Sequence, residues 1–278
     1  MNAQPRRPWL WTLSFTVIAL AYLYPIALVV INSFKGKVYI ADNPFSLPTA
    51  ESFVGWQNYI EGVRKTDLIT SFGWSLVITV GSALLILAGT SMTAWWIVRM
   101  DNRFAKTLYT SFLFNLVVPF QMVMFTLSWL ADSLGLSNPF GLWIIYLGFG
   151  AGLAVFIFTG FVKGIPYEIE EAATIDGCGP VRTFFLIVLP VMKPAVITVA
   201  ILEVMWLWND YLLPYLTLDL KKYMTIPISV QYLKGGYGAV DMGAMMGVLV
   251  LALIPVIVFY LFSQKHIIQG VVAGAVKG

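Results

Sequence analysis

Four carboxylates crowd one short stretch of an apolar chain: Glu168, Glu170, Glu171 and Asp176. Ala172 and Ala173 lie among them, and Gly177 and Gly179 follow. Small residues beside acids let another protein's surface come close, so the group reads as a docking site. A second set lies further along. Glu203 and Asp210 are seven residues apart, two helical turns, so on one helix they share a face. Trp206 falls on the same stripe, with Asn209 beside it. Charges within a bilayer are costly and face a cavity or a partner. Three readings stay open for this stripe. It can contact a transported solute. It can be structural, with Glu203 paired to another subunit and Asp210 at the interface. Or its carboxylates can couple protons in a secondary carrier. Asn115 and Gln121, flanking Pro119, are a weaker candidate for the same path, or polar residues satisfying a kinked backbone. The chain has one histidine, His266, and one cysteine, Cys178. That leaves no multi-histidine metal site, no internal disulfide and little for a membrane-embedded enzyme to use.

These residues need a membrane scaffold. The 278-residue chain is 59% hydrophobic and 11% charged, against about 25% charged in soluble domains. Apolar windows long enough to cross a bilayer fall at about 10–33, 71–98, 106–131, 139–162, 192–215 and 243–263. The expected fold is therefore all-α and polytopic, one transmembrane domain over residues 1–278 with six spans. Prolines at 25, 119, 214 and 255 interrupt several of them. Arg6, Arg7, Arg99, Arg103, Lys106, Lys163, Arg182, Lys193, Lys265 and Lys277 cluster in four regions on one side. Basic residues in short loops stay cytoplasmic, so both termini and the acidic stretch are placed inside. The first span is too long for a signal peptide and lacks a small-residue cleavage site. The long loop 34–70 carries turn signals and room for a short amphipathic helix. Trp95 and Trp96 read as interfacial anchors. Gly148, Gly150 and Gly152, and Gly243 with Gly247, permit close helix contact.

The acidic stretch has its own logic. Pro166 can open a helix, and Glu168, Glu170 and Glu171 then meet the positive end of its dipole. Gly177 and Gly179 provide a bend. Pro180 opens a second short helix over 181–189, whose Phe184, Phe185 and Val188 form an apolar face. Two short helices with a glycine hinge thus occupy about 166–189.

Glu171-Ala172-Ala173, followed by Gly177 and then by Ile187-Val188-Leu189-Pro190, resembles the EAA loop of permease subunits from bacterial ABC importers. The resemblance covers nearly the whole chain. It is nearest to the carbohydrate-importing permeases of the maltose type, whose fifth helix is similar to Trp208-Asn209-Asp210-Tyr211 with Pro214, and whose tail is similar to residues 269–278. The compact six-span form resembles the shorter of the two paired permeases. Cys178 and Glu203 depart from the family pattern.

The resemblance implies a type I importer permease in the bacterial plasma membrane, working by alternating access. Glu170, Glu171, Ala172, Ala173, Asp176 and Gly177 would form the coupling site for a separate ATPase. Partners would be a second, non-identical permease, two ATPase subunits, an extracytoplasmic sugar-binding protein, the sugar and the lipid bilayer, with no nucleic acid. ATP and Mg would reside in the ATPase subunits. The chain has no Gly-x-x-x-x-Gly-Lys-Ser/Thr loop to cradle phosphates, so no catalytic residue or cofactor is expected here. In a sugar importer, Glu203, Trp206, Asn209 and Asp210 suit a carbohydrate path, because carboxylates accept hydroxyl hydrogen bonds and indoles pack on pyranose rings.

Overall fold

The computed structural model describes residues 8–233 and 241–275. Arg6, Arg7 and Lys277 lie outside the described residues, as do residues 276–278 of the tail. In chain order the helices are α1 (Pro8–Asn32), α2 (Lys37–Asp42), α3 (Gln57–Thr66), α4 (Leu68–Met100), α5 (Arg103–Val117), α6 (Phe120–Ser133) and α7 (Pro139–Val162). The chain continues through α8 (Glu168–Ile175), α9 (Pro180–Thr183), a π-helical turn (Phe184–Val188) and α10 (Leu189–Val191). The remainder is α11 (Lys193–Asn209), α12 (Leu212–Thr217), α13 (Ile226–Tyr232) and α14 (Met242–Ala275). Among the described residues the extended structure is one isolated antiparallel bridge, Lys35 with Phe53.

Among the described residues, four helices are long and apolar enough to cross a membrane: Trp9–Asn32, Leu68–Met100, Pro139–Val162 and Met242–Lys265. Two bent helix pairs are also apolar enough, and counting each as one span brings the number to as many as six. The first pair is α5 with α6, bent by 104°. Pro119 causes the break. It forces Val118 before it into extended backbone (ψ 112) and cannot continue the helical hydrogen-bond ladder. The second bend, 77°, separates Pro180–Val191 from α11. Prolines do not break every helix: Pro25 and Pro255 lie inside continuous ones. Clear start signals set the other boundaries. Asn102 caps α5 by accepting from the Ala105 amide at 2.8 Å. Asn138 caps α7 by accepting from the Phe140 and Gly141 amides at 3.1 and 3.0 Å.

The chain divides into two compact units. One comprises the described residues of Met1–Ile69 and Ser229–Ile257. In it the loop after α1 is tied down by side chains. Asn58 donates to the Ser33 and Lys35 carbonyls at 2.8 and 2.9 Å. The Ser33 and Tyr59 hydroxyls are 2.6 Å apart, and buried Lys35 donates to the Asn43 carbonyl at 2.9 Å. Gly243 and Gly247 lie against Asn58, so α3 packs on the start of α14. Lys65 on α3 bridges Glu61 and Asp241.

The other unit, the described residues of Thr70–Ile228 and Val258–Gly278, holds the large apolar core. Ile78 and Ile86 of α4, Leu142, Tyr146 and Phe158 of α7, Phe184 and Val188 of the π-helical turn, and Val199 of α11 are buried together. Half of the most apolar window of α7 is buried, against none of the window in α1. Helix α7 is thus the centre of its unit. Helix α1 exposes apolar side chains on every face and needs lipid or another chain around it.

Candidate functional site

Helix α8 presents two different sides. Glu171, Ala172, Thr174, Ile175, Asp176 and Gly177 are exposed, with Ile175 at 86%. Glu170 and Ala173 are buried, at 5% and 6% exposure. Glu170 therefore does not join Glu171 on an outward docking face, contrary to the expectation from sequence. Its position one residue earlier turns it by about 100° on the helix, toward the end of α4. There the Arg99 guanidinium donates twice to Oε1, from Nε at 2.9 Å and Nη2 at 2.6 Å. The Trp95 indole donates to Oε2 at 2.9 Å. Trp95 is consequently not a simple interfacial anchor.

The hinge follows a helix-ending pattern that only a left-handed residue completes. Asp176 is the last half-helical residue, and Gly177 has φ 83. The Cys178 amide donates back to the Ala173 carbonyl at 2.9 Å, and the Gly177 amide to Thr174 at 3.0 Å. These two bonds form a Schellman motif, which favours glycine at this position. Helix α8 begins at Glu168, two residues beyond Pro166. Pro180 opens α9 as expected.

The second arm is not the uniform α-helix the sequence implied over 181–189. A π-helical turn occupies Phe184–Val188, and the wider turn shifts the side-chain register. Phe184 and Val188 are buried at 1% and 0%, whereas Phe185 is 49% exposed. Phe185 thus leaves the expected apolar face and joins Leu186, 63% exposed, on the surface.

The membrane carboxylates also part company. Helix α11 ends at Asn209, and Asp210 is extended (ψ 124). The two-turn spacing from Glu203 therefore no longer places both on one stripe. Asp210 instead accepts from the Tyr146 hydroxyl at 2.9 Å and from the Leu212 amide at 3.0 Å, holding the start of α12. Glu203 is 2% exposed, and its Oε2 makes no hydrogen bond. It occupies the space that a side chain on Gly150 would need: a Cβ there would lie 2.8 Å from Glu203 Oε2 and 2.6 Å from Ile86. Glu203 is thus enclosed by α4, α7 and α11 and faces neither an open path nor a free outer surface.

The remaining candidates are spread out. Trp206 is 41% exposed and meets the Tyr146 ring edge-on at 5.4 Å. Asn209 is exposed and donates to its own helix at Met205. Asn115 donates to the Gly148 carbonyl at 2.6 Å, linking α5 to α7. Gln121 is exposed. Gly152 lies against Phe112 and Leu116, while Gly148 faces open space.

A feature missed from sequence lies on α5. Lys106, Thr107, Thr110, Ser111 and Phe114 line a groove of about 500 Å³. Their spacing of three and four residues is the signal that would have found it. Each of the three hydroxyls donates to the carbonyl four residues back, at 2.9 to 3.0 Å. Those donations leave their acceptor lone pairs unused by the helix.

Comparison with known proteins places this geometry. Residues 85–272 match the family described as binding-protein-dependent transport system inner membrane component. The chain is 36% identical over 269 residues to the probable starch degradation products transport system permease protein AmyC of Thermoanaerobacterium thermosulfurigenes, covering 97% of each. It is 32% identical to the multiple sugar-binding transport system permease protein MsmG of Streptococcus mutans, covering 97% of this chain and 96% of that one. A chain in the crystal structure of a bacterial ABC transporter that imports the acidic polysaccharide alginate has the same fold. The TM-score is 0.80 at 20% identity, over 95% of this chain and 99% of the other.

Proposed function

This chain belongs to the family of binding-protein-dependent transport system inner membrane components, and from that premise we propose how its parts divide the work. It is the permease subunit of a carbohydrate importer of the ABC type, a multi-pass membrane protein. Its relatives are named as permease components of transport systems, and they lend no support to a proton-coupled carrier built on Glu203 or Asp210.

In this proposal a separate ATPase docks on the exposed side of α8. The observation that carries it is the pairing of an exposed Glu171–Ala172–Ile175–Asp176 surface with a buried, fully bonded Glu170 on the same helix. Ile175, 86% exposed, gives that surface an apolar contact, and the small Ala172 lets a partner approach. ATP and Mg bind to the ATPase subunits; this chain supplies no nucleotide site. Both termini and α8 lie on the cytoplasmic side, with Arg99, Arg103, Lys106, Lys163 and Arg182. A second permease covers exposed apolar surface in the membrane, and an extracytoplasmic binding protein delivers the sugar. Trp206, Asn209 and Gln121, together with the α5 groove, are the exposed residues left to line the path. Glu203, Asp210 and Asn115 act structurally.

Affinity purification in mild detergent, with co-purifying proteins identified, tests the proposal. The expected complex contains an ATPase and a second permease. Glu171→Ala should release the ATPase while the membrane part stays folded, since removing one side of an interface charge pair costs about 2–5 kcal/mol. A chain that purifies alone and still moves sugar would refute the reading.

A further inference from the structure

We infer that Glu170, Arg99 and Trp95 form a rigid strut through which motion of the docking helix passes into α4. The inference rests on the coupling role proposed for α8 and goes beyond it by naming where the motion enters the membrane. Arg99 and Trp95 sit four residues apart on the last turns of α4, so both face one way. Together they hold α8 at several points. Arg99 and Trp95 satisfy both oxygens of Glu170. Arg99 Nη2 also donates to the Ile165 carbonyl at 3.1 Å, just before α8. Its guanidinium lies 5.5 Å from the centre of the Tyr167 ring. Trp95 reaches the second arm as well, with its ring 5.5 Å from that of Phe184.

The arrangement is stiff for three reasons. The ion pair is largely buried, with side-chain exposures of 16% and 6%, so water does not compete for it. The guanidinium–carboxylate contact uses two nitrogens, which fixes direction as well as distance. Helix α4 is 33 residues long and contains no proline. The other exit from the loop is different. It runs through a π-helical turn and then a 77° bend before α11. A push on the exposed side of α8 should therefore move α8 and the end of α4 together, with the flexing left to the second arm. Arg99 and Trp95 are thus positioning residues, acting on the coupling surface from behind.

The test uses the whole transporter, purified with its partner subunits and reconstituted in vesicles. Spin labels at Ile169→Cys and Met100→Cys, both exposed and both outside the proposed docking surface, are introduced in a Cys178→Ala background. The label distance should stay constant between the nucleotide-free and ATP-bound states. A change of more than about 5 Å, the pitch of one helical turn, would overturn the strut. The double variant Glu170→Ala, Arg99→Ala leaves no unpaired buried charge. It should assemble and hydrolyse ATP, while sugar moved per ATP falls by about tenfold, within the range seen for residues that link sites. Unchanged transport per ATP in the assembled variant would refute the proposal. So would hydrolysis and transport falling in step, because that is what a merely structural contact gives. Glu171→Ala reads the docking surface separately. If it fails to weaken ATPase attachment, the coupling reading of α8 falls, whatever the label distances show.

Discussion

Tyr146, buried on α7, donates its hydroxyl proton to Asp210 at 2.9 Å, at the point where α11 gives way to α12. The same carboxylate accepts from the Leu212 amide through its other oxygen. One side chain therefore ties two helices and holds the start of a third. Tyr146→Phe should lose the cross-helix bond and keep the bond to the Leu212 amide. Asp210→Ala should lose both. Interhelical hydrogen bonds in membranes average about 0.6 kcal/mol and reach about 1.7, so a double-mutant cycle should return a coupling in that range. The loss of the bond to the Leu212 amide adds about 1 kcal/mol to the Asp210→Ala variant. Thermal unfolding of the purified complex measures both. Equal destabilisation by the two single variants would show that the bond to the Leu212 amide contributes nothing.

Glu203 invites the opposite experiment. A buried carboxyl with an unbonded oxygen is a cost to folding unless its charge is offset. Replacement by an apolar residue of similar length, Glu203→Met, should leave stability unchanged or raise it, as apolar replacement does for other buried charges. Sugar uptake should persist, because the side chain is enclosed. Gly150→Ala should act in the other sense. Its new methyl would press on the ends of the Glu203 and Ile86 side chains, which must shift within a packed interior, at a cost of about 1–3 kcal/mol. Loss of uptake in a stable Glu203→Met variant would return this residue to the solute path.

Much of the architecture was legible because membrane spans depend on long apolar runs, and these do not depend on tertiary detail. The short helices of the acidic loop were legible too, since Pro180 and Gly177 carry their conformations locally. Side-chain orientation was not. Glu170 and Glu171 look alike in sequence, and which one turns inward depends on where Arg99 lies, 71 positions away. The Glu203–Asp210 stripe failed because it assumed a helix running past Asn209. Phe185 was misplaced because a π-helical turn has no clear sequence signature. The α5 stripe was visible at helical spacing, but its hydroxyls read as neutral until a groove appeared along them.

The Lys65 cluster makes a pH prediction. Bonds from Lys65 and then from Gln57 hold the Glu61 carboxyl below its ordinary value. Partial burial pushes the Asp241 carboxyl up, but the bond from Lys65, the Ala244 amide and nearby lysines outweigh it, leaving it lowered. Lys65 is raised, first by its bond to Asp241 and then by Glu61. Lowered carboxyls stabilise above their unfolded values and lose that contribution as pH falls through the folded ones. The raised lysine contributes at neutral pH and loses it as pH rises through its folded value. The packing of α3 on the start of α14 should therefore be firmest between about pH 5 and about pH 10. Amide exchange in α3 should quicken below pH 4, and Lys65→Met should remove that acid step. High salt should weaken the effect, because these groups are well exposed. An identical acid step in the variant would assign it to other carboxylates.

The groove on α5 makes the most direct claim about the path. In a membrane helix, exposed hydroxyls facing lipid gain nothing, whereas hydroxyls facing a passing sugar offer acceptors without a permanent charge. Thr107, Thr110 and Ser111 meet that description, because each donor is spent on its own helix and each acceptor is left unused by it. Phe114, 68% exposed, adds an aromatic face one turn further along. The groove, about 500 Å³, falls within the usual range for small-molecule sites. Ser111→Trp would fill it without touching the coupling loop. Assembly and ATP hydrolysis should continue while sugar uptake falls, and a smaller change, Ser111→Ala, should cost only the worth of one hydrogen bond, about 1 kcal/mol or roughly fivefold in rate. Because blockage is steric in the first variant and polar in the second, their order matters. Uptake must fall further with tryptophan than with alanine if solute passes here. Equal, unimpaired uptake in both would place the α5 groove against lipid or the second permease and take it out of the path.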